Sequence, residues 1–206
     1  MARKTKEEAL ATRARSLDAA EREFQAHGVS HASLHGIALA AGVTRGAVYW
    51  HFKDKGDLFN AMMARVCLPM EASASCPLPA EGEVPLAALR GHLLGILQRV
   101  AEDEQVQRVF QIATQKVEYV DETASVRERH LQVRRGYLKV LERLLRAGQQ
   151  RGEIVRAPSA RQLAIGLHAL LDGLIQNWML DPAAFSLRTV GGRALELHLA
   201  GLAARA

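Results

Sequence analysis

The chain has 206 residues, of which 49% are hydrophobic and 5% aromatic. A chain of this length buries a core without a metal or disulfide staple, and its few aromatic residues favour helices over a β-sandwich or barrel. Two cysteines, Cys67 and Cys76, do not make a disulfide framework, which fits a reducing compartment. The formal net charge of +5 permits an acidic partner such as nucleic acid but does not identify one.

Neither a targeting signal nor a membrane anchor is expected. No apolar run follows the basic opening Met1–Lys6, so no secretory signal is expected. The most apolar stretch, 163–180, is interrupted by His168, Asp172 and further polar residues, which disfavours a membrane span. We therefore expect a soluble, cytoplasmic protein that has no membrane partner.

Apolar residues at helical spacing predict a first helix from Lys6 to His27, which Gly28 ends because glycine adopts the left-handed conformation that closes helices. Three short helices follow within residues 33–66. Ser33, Thr44 and Asp54 stand at their N-cap positions. The core expected here comprises Leu17, Ala20, Phe24, Ile37, Ala38, Val43, Val48 and Phe52.

The second and third helices of the chain form a helix-turn-helix. Gly42 makes the turn between them, and the third helix, 45–51, has barely two turns. Such a helix buries little surface, while its remaining residues are small, polar, cationic or aromatic. This face suits a helix laid into the major groove of DNA.

A proline-rich loop over residues 69–85 separates this region from a second helical region. The later helices are expected at 86–103, 105–114, 121–151, 160–180 and 185–204. The fold class is therefore all-α, with about nine helices: an N-terminal three-helix helix-turn-helix domain, 1–55, and a larger helical domain, 56–206.

The helix at 160–180 is apolar almost all round, and Gly166 and Gly173 permit close helix approach. A helix without a wide polar face is buried on more than one side. One side can face the chain's own core and the other a partner subunit. The alternative is the central helix of a monomeric bundle.

The string Thr44–Lys55, preceded by Ile37-Ala38 and Ala41-Gly42-Val43, closely resembles the DNA-binding region of TetR-family transcriptional regulators. The opening Met1–Ala9 is similar to the AcrR and TtgR branch, whose members repress multidrug efflux-pump operons. The resemblance implies a sequence-specific repressor that small hydrophobic ligands release from its operator. Two positions depart from the pattern of the branch, Leu39 and His35.

By this resemblance the third helix enters the major groove. Arg45 is the expected guanine reader, since a guanidinium pairs bidentately with O6 and N7. Tyr49 and His51 are expected to hold phosphates, and Lys55 to contact the DNA backbone. The full set of DNA-contacting residues that we expect is Arg3, Lys4, Lys6, Ser33, Thr44, Arg45, Gly46, Ala47, Tyr49, Trp50, His51 and Lys55.

The segment Asp172–Ile175, with Trp178 and Asp181-Pro182, resembles the dimerisation helix of the same family. A two-fold homodimer presents two third helices roughly 34 Å apart and reads a near-palindromic site on double-stranded DNA. The residues expected at the dimer interface are Leu163, Leu167, Leu170, Leu171, Leu174, Trp178, Leu187, Val190, Leu195 and Leu202.

The helices from 86 to 151 are expected, by resemblance, to enclose a pocket for a hydrophobic or aromatic effector. Glu118 is suited to a cationic ligand, and Tyr119 to stacking on an aromatic one. An equally open interpretation makes Lys116 and Glu118 a solvated surface. The expected ligand-binding residues are Cys67, Met70, His92, Phe110, Glu118 and Tyr119.

Two other functions stay open. One is a TetR-like regulator of a metabolic operon that responds to a fatty-acyl or similar ligand. The other is a ligand-binding helical protein whose helix-turn-helix is only structural. We expect no metal or other cofactor, because His27, His31 and His35 lie across a loop, and no catalytic constellation that would indicate an enzyme.

Overall fold

The computed structural model describes residues 2–65, 84–120 and 123–204. Within these ranges the chain forms nine α-helices, one π-helical turn and no β-strand beyond an isolated bridge between Ile154 and Ala203. The all-α prediction is thus confirmed. In chain order the elements are α1 (Ala2–His27), α2 (Leu34–Ala40), α3 (Arg45–His51), α4 (Lys55–Arg65), α5 (Pro85–Glu102), α6 (Glu104–Gln115), α7 (Ala124–Gln150), α8 (Ala160–Leu180), the π turn (Leu187–Gly191) and α9 (Gly192–Leu202).

The helices belong to two compact units. The first contains the described residues of Met1–Cys67 together with Arg108–Leu131, and the second contains those of Leu68–Gln107 together with Gln132–Ala206. Helices α6 and α7 each contribute residues to both units. The sequence predicts a single domain boundary at residue 55. The two units are divided differently, because residues 108–131 belong to the first unit although they come much later in the chain.

In the first unit α1 packs against α2, α3 and α4. Its expected core residues are buried, except for Val43, which is half-buried. The rings of Phe24 and Phe59 lie 6.0 Å apart between centroids, so α4 adds an aromatic residue to the core. Burial of these apolar side chains holds the short helices in place, because helices of seven residues are not stable alone.

The first helix begins earlier than the sequence suggested, at Ala2 instead of Lys6. No glycine or proline interrupts residues 2–6, so the helix extends through them. It ends where predicted, since Gly28 has a φ of 81°. The amide of Val29 then donates to the carbonyl oxygen of Lys116 at 2.8 Å, which ties the α1–α2 loop to the segment after α6.

In the second unit α5 packs against α8, α9 and the π turn. The predicted helix over 185–204 begins as the π turn, which the Ser186 hydroxyl caps by accepting from the Thr189 amide at 3.2 Å. A Cβ at Gly191 would lie 3.2 Å from a methyl group of Leu97. Close packing against α5 thus accompanies the wider backbone turn.

Helix α8 begins with a capping box, in which Ser159 and Gln162 exchange side-chain and backbone hydrogen bonds. By length and composition it is the one helix among the described residues that is long and apolar enough to cross a membrane. Such a helix is also typical of protein cores and subunit interfaces. Only a third of its most apolar stretch is buried within the chain.

Candidate nucleic-acid interface

The turn between α2 and α3 is built from local hydrogen bonds. Gly42 has a φ of 63°, and its amide donates to the carbonyl oxygen of Leu39 at 3.0 Å. The amide of Val43 donates to the carbonyl oxygen of Ala38, also at 3.0 Å, which closes α2 in the manner of a Schellman motif. These bonds set the sharp angle at which the second helix of the pair departs.

Both helices of the motif begin with a side-chain cap. The Ser33 hydroxyl accepts from the Gly36 amide at 3.0 Å, and the Thr44 hydroxyl accepts from the Ala47 amide at 3.2 Å. Such a cap contributes about 1 kcal/mol, which is a large share of the stability of so short a helix.

One residue of α3, Val48, is fully buried and anchors the helix to α1 and α2. The opposite face is exposed: Trp50 keeps 73% of its surface and Tyr49 keeps 45%. Arg45 and Gly46 are exposed as well, and Ala47 is half-buried. A helix that presents aromatic, cationic and small residues to solvent has the shape and the donors that major-groove binding requires.

The guanidinium of Arg45 does not extend freely into solvent. Its carbon atom lies 5.2 Å from the ring centroid of Tyr49, one helical turn later. Its Nη2 also donates to the Tyr49 hydroxyl at 3.2 Å. The expected base reader is therefore paired with its neighbour on the same helical face.

At the end of α3, His51 is half-buried beside Arg13, a cation of α1 that sequence reasoning did not select. Burial and the charge of Arg13 lower the pKa of His51, so its ring is neutral near pH 7. The guanidinium of Arg13 lies 5.4 Å from the ring centroid of Phe52. The spacing of basic residues along α1 gives no hint of this position, because it depends on how α1 and α3 pack.

Lys55 requires a correction. Only 5% of this residue is exposed, and its ammonium donates to the carbonyl oxygens of Ser30 at 2.6 Å and Ala32 at 3.1 Å. These carbonyls lie in the α1–α2 loop, so the lysine holds that loop in place. Its side chain is not available for the expected contact with the DNA backbone.

The start of α4 follows the predicted capping pattern. The Asp57 amide donates to the Asp54 carboxylate at 2.8 Å, while the Asp57 carboxylate accepts from the Lys53 amide at 3.0 Å. The side chain of Lys53 remains exposed. Three of the expected DNA-contacting residues lie at the start of α1: Arg3, Lys4 and Lys6. Of these, Lys6 is exposed.

Comparison with known protein families accounts for both regions of the chain. Residues 17–62 match the family described as bacterial regulatory proteins, tetR family, and residues 84–199 match the C-terminal region of MAATS-type transcriptional repressors. The chain belongs to the TetR family of bacterial regulators. The resemblance that the α3 sequence carries is thereby confirmed.

Two TetR-family relatives match this chain over most of its length. The HTH-type transcriptional repressor BepR of Brucella suis biovar 1 is 36% identical over 204 residues, which is 99% of this chain and 98% of BepR. The HTH-type transcriptional regulator TtgR of Pseudomonas putida is 35% identical over 191 residues, 91% of this chain and 89% of TtgR.

Two solved structures of the TetR family share the fold. NalD, the secondary repressor of the MexAB-OprM multidrug efflux pump in Pseudomonas aeruginosa, superimposes with a TM-score of 0.86 at 36% identity, covering 96% of this chain and 98% of NalD. The complex of SmeT from Stenotrophomonas maltophilia with triclosan gives a TM-score of 0.82 at 32% identity, covering 94% of this chain and 92% of SmeT.

The residues expected to bind an effector of this TetR-family chain are divided between the two units. Phe110 is buried in the first unit. In the same unit, Glu118 accepts from the Ser30 hydroxyl at 3.2 Å, and the Tyr119 hydroxyl lies 2.9 Å from His130 Nδ1. His92 lies in the second unit, and Cys67 and Met70 fall outside the described residues.

His92 belongs to a cluster of three rings that sequence reasoning did not foresee. Its ring centroid lies 5.9 Å from that of Tyr137, which is fully buried, and Tyr137 meets His168 edge-on at 5.7 Å. Burial lowers the pKa of His92. Its Nε2 has no hydrogen-bond partner within the described parts of the chain. The three residues are far apart in sequence and lie on α5, α7 and α8.

The residues expected at a TetR-type dimer interface fall into two groups. The first group lies in the chain's own core and retains little or no surface for a partner: Leu163, Leu167, Leu171, Leu187, Leu195 and Leu202. The second group keeps exposed surface: Leu170, Leu174, Trp178 and Val190. The structure also exposes apolar residues that were not in the expected set, with Leu197 at 77% and Leu180 at 73%.

No set of three or more His, Cys, Asp or Glu side chains is placed to hold a metal ion in residues 2–65, 84–120 and 123–204.

Proposed function

We propose that this chain is a transcriptional repressor of a multidrug efflux-pump operon that small hydrophobic ligands release from DNA. The observation that carries the proposal is the exposed face of α3, which has Arg45 at its start and Trp50 near its end. The roles of BepR and NalD as repressors support it, since both relatives match nearly the whole chain. TetR-family regulators are not normally enzymes, and work on chromosomal DNA places such a protein in the cytoplasm.

In the proposed complex α3 lies in the major groove. Arg45 reads a guanine, while Thr44, Gly46 and Ala47 allow the start of the helix close to base edges and the adjacent backbone. Lys55 acts in this scheme only by holding the loop that precedes α2. Two groups of residues contact the phosphates in this scheme. One lies around α3 and comprises Ser33, Trp50 and His51, and the other lies at the start of α1 and comprises Arg3, Lys4 and Lys6.

The proposed active species is a two-fold homodimer on a near-palindromic operator. Its interface uses the apolar surface that α8 and α9 leave uncovered, including Leu174, Trp178 and Leu197. A soluble protein rarely leaves apolar surface of this kind uncovered unless a partner covers it. The dimer sets the two α3 helices about one turn of DNA apart.

The proposed effector is a hydrophobic aromatic molecule with a hydrogen-bonding group. His92 supports this assignment, because a neutral, partly buried imidazole whose Nε2 has no described partner can form a hydrogen bond with a ligand hydroxyl. Tyr137 and His168 provide ring faces and edges beside it. The complex of the relative SmeT with triclosan is a precedent for a ligand of this class.

DNA binding is tested by fluorescence anisotropy on the DNA upstream of the chain's own gene. We expect tight binding that weakens steeply as salt rises, because phosphate contacts release counterions. Arg45→Ala should lower the preference for this DNA over a shuffled duplex by about 1–3 kcal/mol. Arg161→Ala, which removes an exposed cation of α8, is the matched control and should bind as the parent chain does. Absence of binding at low salt would reject the proposal.

Effector identity is tested on the preformed protein–DNA complex. Triclosan should release the DNA at concentrations at which long-chain acyl-CoA does not, and His92→Leu should raise the triclosan concentration that is needed. Release by acyl-CoA but not by triclosan would favour the metabolic regulator instead. Ligand affinity for the free protein, measured by calorimetry, separates loss of binding from loss of coupling.

A further inference from the structure

The pairing of Arg45 with Tyr49 has two components. The guanidinium carbon lies 5.2 Å from the ring centroid of Tyr49, and Nη2 donates to the phenolic oxygen at 3.2 Å. Both residues stand on the exposed side of α3, four residues apart, while Val48 on the other side is fully buried. The pair therefore sits on a helix that the core of the first unit holds in place.

This arrangement affects what Arg45 loses when it binds. An exposed arginine samples many rotamers, and fixing it on a guanine costs conformational entropy. A ring face and a hydroxyl that already hold the guanidinium reduce that loss, and the planar fork keeps free N–H groups for the base. The phenolic oxygen accepts from Arg45 and still has its own proton to donate outward.

We propose that Tyr49 is a positioning residue that holds the guanidinium of Arg45 ready to pair with a guanine. Tyr49 thereby serves the choice of sequence, in addition to the phosphate contact that the family resemblance implies for it. The inference rests on the proposed function, because it requires Arg45 to read a base. A residue that only holds a phosphate affects all DNA sequences equally, whereas a positioning residue affects the operator alone.

The test measures a specificity ratio, which is the Kd for a shuffled duplex divided by the Kd for the protected duplex. The protected duplex carries the sequence upstream of the chain's own gene that the parent chain protects from nuclease cleavage. Tyr49→Phe keeps the ring and removes the hydroxyl, and Tyr49→Leu removes both. We expect Tyr49→Phe to lower the ratio by about two- to fivefold, and Tyr49→Leu to lower it further. The side chains of Arg45 and Tyr49 are exposed, so urea unfolding of the variants should match that of the parent chain.

A double-mutant cycle decides whether Tyr49 acts through Arg45. With Arg45→Ala in place, Tyr49→Phe should cause no further change in the ratio, because there is no guanidinium left to position. A phosphate contact alone would instead weaken binding to both duplexes by the same factor in either background. Equal losses on the two duplexes, or an undiminished effect of Tyr49→Phe in the Arg45→Ala chain, would overturn the proposal.

A second probe separates this inference from the proposed function. Substituting 7-deazaguanine for guanine in the protected duplex removes the N7 acceptor. This change should weaken DNA binding by the parent chain but not by the Arg45→Ala variant. If this holds and Tyr49→Phe lacks the expected effect, only the positioning role is rejected. If Arg45→Ala itself leaves the specificity ratio unchanged, the base-reading role fails and the positioning role fails with it.

Discussion

The ammonium of Lys55 lies inside the first unit, within hydrogen-bonding distance of two carbonyl oxygens of the α1–α2 loop. A buried lysine is tolerated only when its donors are satisfied, and these two carbonyls accept from it. Lys53, two residues earlier, is exposed. Two lysines in one short motif thus have different roles, which their spacing does not reveal.

Lys55→Met should destabilise the chain by about 1–3 kcal/mol, since it removes the donor that the loop carbonyls share. Urea unfolding followed by circular dichroism measures the change, and Lys53→Met is the matched control, which we expect to alter stability by less than about 0.5 kcal/mol. Equal effects of the two substitutions would contradict the structural role of Lys55.

His92 also has a role that burial decides. Its imidazole is partly buried against Tyr137, and burial lowers its pKa in the folded chain below the ordinary value of 6.5. The unfolded chain therefore takes up a proton here at a higher pH than the folded chain does. The contribution of neutral His92 to the free energy of unfolding is therefore fully present above about pH 6.5 and decreases as the pH falls below that value.

His92→Phe should reduce the drop in melting temperature between about pH 7.5 and pH 5.5, because the substituted chain no longer gains that proton on unfolding. Differential scanning calorimetry at the two pH values measures it. Burial also lowers the pKa of His51, which is still present in the variant, so part of the drop in melting temperature persists. His31→Phe replaces an exposed histidine and is the control; a drop as large in His92→Phe as in His31→Phe would refute the assignment.

At the scale of elements, helix α3 depends on the residues at its two ends. Helix α3 has seven residues, a threonine cap at its start and a left-handed glycine shortly before that cap. A seven-residue helix has little internal stability, so its position follows from the cap, the turn and the buried Val48. Glycines in the turn before α3 and within α3 therefore differ in what they contribute to stability.

Gly42→Ala should destabilise the chain by about 1 kcal/mol, because alanine at a φ of 63° is strained although no atom lies within 4 Å of the added methyl. Gly46→Ala should instead stabilise the chain by about 0.5–1 kcal/mol, since Gly46 lies inside α3 and its nearest neighbour, the Thr44 hydroxyl, is 3.9 Å from the new methyl. Thermal unfolding of both variants checks the opposite signs; the same sign for both would contradict the account.

At the scale of the whole molecule, net charge says little and the placement of apolar surface says more. The charge of +5 is spread along the chain, so it does not locate the DNA-binding face. Helix α8 is strongly apolar yet only a third of its most apolar stretch is buried, and α9 exposes Leu197. This uncovered surface is what the proposed dimer accounts for.

Leu174→Arg combined with Leu197→Arg should convert the proposed dimer to a monomer, because each subunit would bury two arginine charges in the interface. Sedimentation equilibrium measures the mass of the double variant. Its affinity for the operator should also fall by at least about tenfold, since monomers bind the two half-sites independently. Val84→Arg replaces another exposed apolar residue of the second unit and should remain dimeric. A dimeric double variant would place the interface elsewhere.

The extent to which sequence predicted the structure differs between local and distant features. The helix positions, the caps at Ser33 and Thr44 and the turn at Gly42 were predicted because capping and glycine conformation depend on neighbouring residues. The apolar residues of α8 and α9 were recognised as a set, but periodicity does not separate those that face the chain's own core from those left exposed.

By itself, then, the sequence determined the all-α class, the helix-turn-helix and the family, because these depend on local spacing and on a distinctive string around α3. Only the tertiary structure decided which side chains are available for contact. Lys55 meets carbonyls more than twenty residues away, and His92, Tyr137 and His168 meet from three helices. Burial and long-range pairing are properties of the packed chain, since they depend on residues that the linear order leaves far apart.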